Sequence, residues 1–454
     1  MSIKKSISFT FGAQLINTCI AFVSSIVITR ILGAEGRGAN AIFSNSTAFA
    51  VLFFGFSINS TIPYFINSGK AKAGELMTTI IIFIFASTFF VYFSLVLLEY
   101  FGRLHWALPD TVQSFEYKLL FTGIYFTSLI SSVLTNFLLT YKKFKLMATY
   151  SVLFQLLPLT IYLLLFFNVI PYNHAETFKT VVNITAILAL ASTLILTIMI
   201  FKILPVRPTK KLIPLTLIKQ FILFSAMAYI GNVFQFFSYK LDFWIVDANY
   251  GKASLGVYSL AAQLSQLLWL LPQSLATVLY AYASSSSEEE SLKTTLLLKK
   301  VAFYGTLIFA IVGLTLSYFF IPILYGKEFV PAIKLIAIFI IGIVPFSIPT
   351  VLASFFAARG LFKYSFYTAI CVSIVTICCY IVVIPRYGVV GAAIASAFSY
   401  LCSTILFEYL VYKKFNVNPF TSLRLSKTIV SDATKYFKSK DQTFYESSIE
   451  EDPK

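Results

Sequence analysis

A stripe of polar side chains runs along the apolar segment at residues 221–246. Asn232, Gln235, Tyr239 and Asp242 follow one another at intervals of three, four and three residues, which places them on one face of a helix. Amides and hydroxyls at this spacing can hydrogen-bond a polar ligand, and a carboxylate can also hold a cation such as H⁺ or Na⁺. Polar groups in an apolar helix are costly unless they face a partner or a wet cavity. The stripe is therefore a candidate binding site.

Three more apolar segments carry polar side chains at helical spacing. They are Gln14, Asn17 and Ser24 in segment 7–30, Asn45 and Asn59 in segment 40–66, and Gln263, Gln266 and Gln273 in segment 254–281. These groups can hold neighbouring helices together, as polar residues in membranes often do. They can also line a cavity. We expect a cavity, because the stripes are long.

Few ionisable residues lie near these stripes. Asp242 is the candidate ion-coupling residue, because its short side chain cannot reach the membrane surface, whereas Lys240 can extend outward on its long stem. A carboxylate that simply lies at the membrane interface is the alternative. Arg30 and Arg37 follow the first apolar segment and can attract a phosphate group. They can equally be ordinary loop charges.

The composition requires a membrane around these segments. Of 454 residues, 58% are hydrophobic and 12% are charged, whereas soluble proteins carry about 25% charged residues. Backbone groups in lipid must be paired internally, so apolar runs of roughly 20 residues are helices. We predict an all-α integral membrane protein of about twelve transmembrane helices. Their predicted bounds are 7–30, 40–66, 77–99, 117–140, 147–170, 180–203, 221–246, 254–281, 300–325, 333–357, 364–384 and 388–411.

The positive charges predict the orientation of the helices. The net charge of +16 would suit a nucleic-acid-binding protein, but Lys and Arg concentrate in alternate connections, on the side that carries both termini. We therefore predict cytoplasmic termini, an uncleaved first helix and no nucleic-acid partner. The five cysteines lie in apolar runs without the spacing of a disulfide framework or a metal site. No cofactor or metal is expected.

Landmarks recur along the chain at an offset of 218 residues. Gly33 and Gly251 are separated by this distance, and so are Gly38 and Gly256, which predicts a parallel duplication of six helices. The offset also places Asp242 about 9 Å deeper in the membrane than Arg30, at 1.5 Å per residue. The predicted domains are two six-helix halves at 1–203 and 221–411, a linker at 204–220, and a cytoplasmic tail at 412–454.

Four motifs resemble those of the polysaccharide flippases. The stretch ITRILGAEGRGANAIF resembles their first-loop signature, and LDFWIVDANYGKASLGVYSLAAQ resembles the signature that joins their seventh and eighth helices. AARGLFKYSFYT and PRYGVVGAAIASAFSYL complete the pattern. The motifs occupy Ile28–Phe43, Leu241–Gln263, Ala357–Thr368 and Pro385–Leu401.

The resemblance implies a member of the multidrug, oligosaccharidyl-lipid and polysaccharide exporter superfamily. Two six-helix bundles would then surround a central cavity that opens alternately to each side of a bacterial cytoplasmic membrane. The implied substrate is an undecaprenyl-diphosphate-linked oligosaccharide repeat unit for a surface polysaccharide such as the O-antigen of lipopolysaccharide. An ion gradient would drive an antiporter cycle. A polysaccharide polymerase and chain-length proteins would be partners, besides membrane lipid and the coupling cation, H⁺ or Na⁺.

In this family the sugar would contact the polar stripes and the diphosphate would need cations. No Lys or Arg lies at mid-depth in the predicted helices, so the diphosphate would be held nearer the mouths of the cavity. The candidates are Arg30, Arg37, Lys142, Lys143 and Arg359.

Two other functions stay open. A multidrug exporter of the same superfamily would share the fold and differ in the chemistry of the cavity. A membrane-embedded polysaccharide polymerase or ligase is also polytopic, but such enzymes carry a sizeable outer loop, and the outer connections here are short. We expect a transporter rather than an enzyme.

Overall fold

The computed structural model describes residues 3–171, 173, 176–284 and 286–424. Within these residues every regular element is a helix. The predicted tail lies largely outside them, since residues 425–454 are not described. The helices are α1 (Ile3–Gly55), α2 (Ile62–Asn67), α3 (Ala73–Tyr100), α4 (Phe115–Thr140), α5 (Phe144–Phe166), α6 (Thr177–Ile203), α7 (Leu215–Gln266), α8 (Leu270–Ala283), α9 (Glu288–Phe320), α10 (Ala332–Ala358), α11 (Phe362–Phe415) and α12 (Pro419–Leu423).

Nine helices of the described chain are long and apolar enough to cross a membrane. Three of them, α1, α7 and α11, have 53, 52 and 54 residues. A straight helix of 50 residues would be about 75 Å long, far more than the ~30 Å of a bilayer core. Each is bent at one non-helical glycine, and each therefore provides two spans. The nine helices thus account for the expected twelve spans.

The bends lie at Gly33, Gly251 and Gly388, where positive φ angles of 64°, 76° and 61° leave the helical region. The ψ angles at Gly33 and Gly251 are −173° and 174°, so these two positions of the predicted repeat share one conformation. Only glycine adopts it readily, because a Cβ atom would clash with the backbone.

The offset of 218 residues also relates other ends of helices. It connects the last residues of α4 and α10, Thr140 and Ala358, and the first residues of α5 and α11, Phe144 and Phe362. Between these helices, Lys142 and Gly360 occupy equivalent positions and both have positive φ. The same local geometry therefore recurs at widely separated landmarks.

A reciprocal contact joins the second arms of α1 and α7, which follow the bends. A Cβ atom at Gly38 would overlap the carbonyl oxygen of Lys252, and one at Gly256 would overlap the carbonyl oxygen of Ala34. Ala34 and Lys252 are also 218 residues apart, so each arm makes the contact that the other makes. Small residues permit such close approach of helix backbones in membranes.

Two predicted boundaries are wrong. The ninth span was expected to begin at residue 300, but α9 begins at Glu288, because its first turns are charged and hydropathy does not detect them. The expected linker 204–220 is shorter, since α7 begins at Leu215. Residues before it are held on α3, where the Thr78 hydroxyl donates to the carbonyl oxygen of Thr209 at 2.8 Å and accepts from its N–H at 2.9 Å.

The described helices form two compact units. The first comprises described residues within Met1–Leu260, Phe319–Ala332 and Tyr380–Ala392, and the second those within Ala261–Tyr318, Ile333–Cys379 and Ala393–Lys454. Buried side chains that include Phe121, Tyr125 and Phe137 form the core of the first unit. Leu352, Phe355 and Phe356 are among those at the core of the second. The division into halves at 1–203 and 221–411 stays a prediction.

The reciprocal glycine contact predicts the effect of a single methyl group. Gly38→Ala and Gly256→Ala should each lower the free energy of unfolding by about 1–3 kcal/mol or more, because the added Cβ meets backbone that cannot rotate away. Gly123→Ala on α4 is the control, since its new Cβ would have no atom of the described residues within 4 Å. Thermal unfolding midpoints in detergent measure the difference. Equal midpoints for all three variants would contradict the proposed crossing.

Candidate functional site

The second predicted span is broken in its middle. The expected helix 40–66 ends at Gly55, resumes as a 3₁₀ turn at Ile58–Thr61, and continues as α2. Phe56 and Ser57 have φ angles of 49° and 50°, which cost a non-glycine residue on the order of 1–3 kcal/mol each. Irregular backbone at membrane depth is tolerated only where it is buried in protein or lines a cavity. The expectation of a continuous helix is therefore wrong, and the break marks a candidate site.

A cavity of about 430 Å³ lies at this break, within the first unit. Its apolar lining is Ala48, Val51, Leu52, Gly55 and Leu129. Its polar lining comes from α1, the break, α4 and α7, and consists of Ser44, Thr47, Ser57, Asn59, Ser128 and Asn232. We call this space the break cavity. None of these lining residues is ionisable.

Two predicted amides meet in the break cavity. The side-chain nitrogen of Asn59 donates to the Ser132 hydroxyl at 2.6 Å, and that of Asn232 donates to the Ser57 hydroxyl at 3.1 Å. Each amide is thus held by a neighbouring hydroxyl through its nitrogen. The structure brings together residues that the sequence placed on different stripes.

An aromatic seam borders the break cavity where α1 and its break meet α7. The rings of Phe56 and Tyr229 stack with centroids 4.7 Å apart, and Phe49 contacts Phe236 at 5.7 Å. Such pairs add about 0.5–1.5 kcal/mol beyond the burial of their area. The seam consists of Phe49, Phe53, Phe56, Tyr229, Phe236, Phe237 and Trp244.

The carbonyl oxygen of Trp106 ties one end of this seam. It accepts a hydrogen bond from the Trp244 indole nitrogen at 2.9 Å and a longer one from the Ser46 hydroxyl at 3.4 Å. Ser46 belongs to α1 and Trp244 to α7, so the connection between α3 and α4 bridges both helices.

Other predicted cavity residues lie elsewhere. In the first unit, Asn17 donates to the Ser151 hydroxyl at 2.9 Å, and Asn45 is 5% exposed. Gln263, Gln266 and Gln273 belong to the second unit. Their role, like that of the other predicted residues outside the lining, stays a prediction. Those others are Gln14, Ser24, Gln235 and Tyr239.

Asp242 is buried against the second arm of α7. It is 3% exposed, and its carboxylate accepts hydrogen bonds from the Tyr258 hydroxyl and from the backbone N–H of Phe243. The bend at Gly251 folds the second arm back over this face of the helix. Asp242 consequently does not line the break cavity, although Asn232 on the same predicted stripe does.

Both arginines near the first bend already bind protein oxygens. The guanidinium of Arg30 donates to the carbonyl oxygens of Ile323 and Leu324. Arg37 was expected in a loop, but it lies in the second arm of α1 and is 8% exposed. It is buried because α1 continues past Gly33 as a helix. Its guanidinium donates to the hydroxyls of Ser25, Thr29 and Ser259.

The remaining predicted phosphate contacts belong to the turns after α4 and α10. Lys142 and Lys143 are exposed in the turn between α4 and α5. Arg359 is half-buried and donates to the Ser291 hydroxyl through two nitrogens, at 2.7 and 3.1 Å.

A buried ion pair lies in the second unit. Lys299, which is 0% exposed, approaches the Glu408 carboxylate at 2.6 Å and donates to the Ser422 hydroxyl at 2.7 Å. Sequence reasoning placed Lys299 in a connection, because it took α9 to begin too late. The signal that could have revealed the pair is an acidic residue inside the last apolar run. The expectation that no cation lies within the helices is wrong at this position.

A second cavity, of about 440 Å³, has charged walls that are already paired. Glu99 pairs with Lys118 at 2.5 Å, and Asp247 pairs with Lys252 at 3.3 Å. These lysines neutralise two of the carboxylates at this cavity, so we assign no ligand to it.

The chain is similar to known transporters. Residues 3–287 match the protein family described as "Polysaccharide biosynthesis protein". Curated protein sequences give no match. Among solved structures, one described as "Lipid II flippase MurJ, inward closed conformation" is 16% identical, with a TM-score of 0.69 over 92% of this chain and 89% of that chain.

Two transporter structures give further matches. An inward-facing multidrug resistance MATE family transporter of the MOP superfamily is 14% identical, with a TM-score of 0.66 over 88% of this chain and 94% of that one. A MOP superfamily transporter from Pyrococcus furiosus is 12% identical, with a TM-score of 0.58 over 90% and 94%. At these identities the likeness establishes the fold, which is that of a multi-pass MOP-type transporter.

The ion pair of the second unit predicts a stability effect that depends on both partners. Lys299→Met should lower the free energy of unfolding by about 3–5 kcal/mol, because it leaves the Glu408 carboxylate buried without its cation. The double variant Lys299→Met with Glu408→Leu should recover most of the loss. Thermal unfolding in detergent compares them. A double variant no more stable than Lys299→Met would refute this account.

Proposed function

Because the chain belongs to the polysaccharide biosynthesis protein family, we propose that it is a flippase for a lipid-linked sugar. Its substrate would be an undecaprenyl-diphosphate-linked oligosaccharide repeat unit, which it moves across the bacterial cytoplasmic membrane for surface polysaccharide assembly. The break cavity is the observation that carries this proposal. It offers amides and hydroxyls at a broken transmembrane helix, and discontinuous helices mark the substrate sites of many transporters.

The proposed substrate divides between three environments. Sugar hydroxyls would bind the oxygens of the break cavity, and the polyprenyl tail would stay in the bilayer. The diphosphate would contact Lys142 and Lys143, which are exposed. With both termini in the cytoplasm, these lysines face the side on which the substrate is made. Arg359, Arg30 and Arg37 are weaker candidates, because their guanidinium groups bind protein oxygens.

An ion gradient is the proposed source of energy, with Asp242 as the site of H⁺ or Na⁺. Asp242 is the buried carboxylate of the first arm of α7, where its oxygens accept hydrogen bonds from Tyr258 and Phe243. Protonation or cation binding there would change the contact between the two arms of α7. Partners of the proposed pathway would be a polysaccharide polymerase and chain-length proteins.

A multidrug exporter is the second candidate, favoured by the likeness to MATE transporters. The aromatic seam would suit a flat apolar drug. A cationic drug, however, needs a carboxylate, and none lies among the residues that line the break cavity. We therefore favour the glycolipid.

Replacing the two amides tests the proposed site. Asn59→Leu and Asn232→Leu should each slow translocation of a fluorescent undecaprenyl-diphosphate oligosaccharide by tenfold or more in proteoliposomes, because each removes hydrogen bonds to the sugar. Quenching by a membrane-impermeant reductant reports translocation. The matched control is Gln235→Leu, three residues along α7, exposed, and outside the cavity lining. Rates equal to that of the control would remove the break cavity from the transport path.

A second comparison tests the role of Asp242. Asp242→Asn should abolish the acceleration of translocation by an imposed H⁺ or Na⁺ gradient while leaving the protein folded. Tyr258→Phe removes the same hydrogen bond but keeps the carboxylate, so it should retain the gradient response. If both variants lose the response equally, Asp242 acts only through its contact with Tyr258. An undiminished response in Asp242→Asn would exclude coupling at this residue.

A further inference from the structure

The break cavity offers no charged group to a ligand. Its polar lining consists of serine and threonine hydroxyls and two asparagine amides, and none of the lining residues is ionisable. Moving an isolated carboxylate or ammonium from water into an apolar surrounding without a partner is far more costly than moving a hydroxyl that finds a hydrogen bond. An ionised ligand would therefore lose its hydration in this cavity and gain no counter-charge.

The two amides are also held in a specific orientation. The nitrogens of Asn59 and Asn232 donate to the hydroxyls of Ser132 and Ser57. What each amide has left for a ligand is chiefly its carbonyl oxygen, which can only accept a hydrogen bond. An acceptor selects donors. Sugar hydroxyls and the N–H of an acetamido group are donors, whereas an ionised carboxylate has none.

The aromatic seam completes the chemistry of the site. Phe53, one of its rings, is 47% exposed, and Phe56 adjoins the lining residues Gly55 and Ser57. A sugar ring has an apolar face of C–H groups that can pack on such a ring while its edge hydroxyls reach the amides. The volume of about 430 Å³ falls within the ~300–1,000 Å³ typical of small-ligand pockets.

We infer that the break cavity selects an uncharged sugar unit, a neutral hexose or an N-acetylhexosamine, and discriminates against uronic acids. This inference rests on the proposed flippase function and specifies its substrate class. Asn59 and Asn232 are the specificity-determining residues. Each accepts a hydrogen bond from the sugar, and each repels a carboxylate with a fixed partial negative charge.

Two glycolipids that differ in one group test the inference. The probes are undecaprenyl-diphosphate trisaccharides, one of neutral hexoses and one in which a single hexose carries a carboxylate at C6. Binding to the full chain in nanodiscs is measured by titration calorimetry. We expect the neutral glycolipid to bind at least tenfold more tightly, because only the carboxylate lacks a partner in the cavity.

A charge placed in the cavity should shift this preference. Asn232 is exposed to the cavity, so Asn232→Lys can supply the missing cation, and it should improve the relative affinity for the acidic glycolipid by tenfold or more. Gln235→Lys carries the same charge on the same helix outside the lining and should leave the preference unchanged. Thermal unfolding verifies that both variants are folded.

The outcomes separate this inference from the proposed function. If wild-type protein binds both glycolipids with equal affinity, or prefers the acidic one, the flippase proposal survives and the selection of neutral sugars is wrong. An equal shift in both lysine variants would assign the effect to surface charge and overturn the role of the cavity. Binding of neither glycolipid would overturn the proposed function, and the inference with it.

Discussion

The hydrogen bonds of the backbone constrain this structure more than any other interaction. In hydrocarbon each N–H and C=O must be paired within its own segment, so the chain remains helical almost wherever it crosses the membrane. Departures are confined to a few places. Single glycines bend α1, α7 and α11, and the break after Gly55 adjoins a cavity with polar walls. The positions at which the chain escapes the helical rule are therefore those that shape its site.

Much of the fold could be predicted because hydropathy and duplication both act over long stretches. Twelve apolar runs account for the spans, and the glycines at 33 and 251 adopt one conformation at equivalent positions. The break at Phe56 and Ser57 could not be predicted, since both neighbours of the break are apolar and neither residue normally adopts positive φ. Tertiary contacts impose that conformation. The buried position of Arg37 escaped prediction for a related reason, because a short loop and a bent helix give the same hydropathy pattern.

The candidate site was predictable only in part. Asn59 and Asn232 could be identified from the sequence because an amide in an apolar helix is costly and thus conspicuous. The hydroxyls of Ser44, Thr47 and Ser128 could not, because a hydroxyl can satisfy itself on the preceding helical turn. Thr47 does so, donating to the carbonyl oxygen of Phe43 at 2.9 Å. Which helices face one another around the cavity depends on the bends, and a period of 3.6 residues says nothing about partners.

The reciprocal contact of Gly38 and Gly256 has a consequence for how such a chain can arise. Each glycine meets the carbonyl oxygen that corresponds, in its own half, to the one its counterpart meets. This is the geometry of an isologous interface, the kind that two identical subunits form about a two-fold axis. A chain of six helices bearing one such glycine could pack in this way against a second copy of itself. Gene duplication and fusion would then join two subunits whose contact surface already existed, leaving each copy free to acquire its own polar residues.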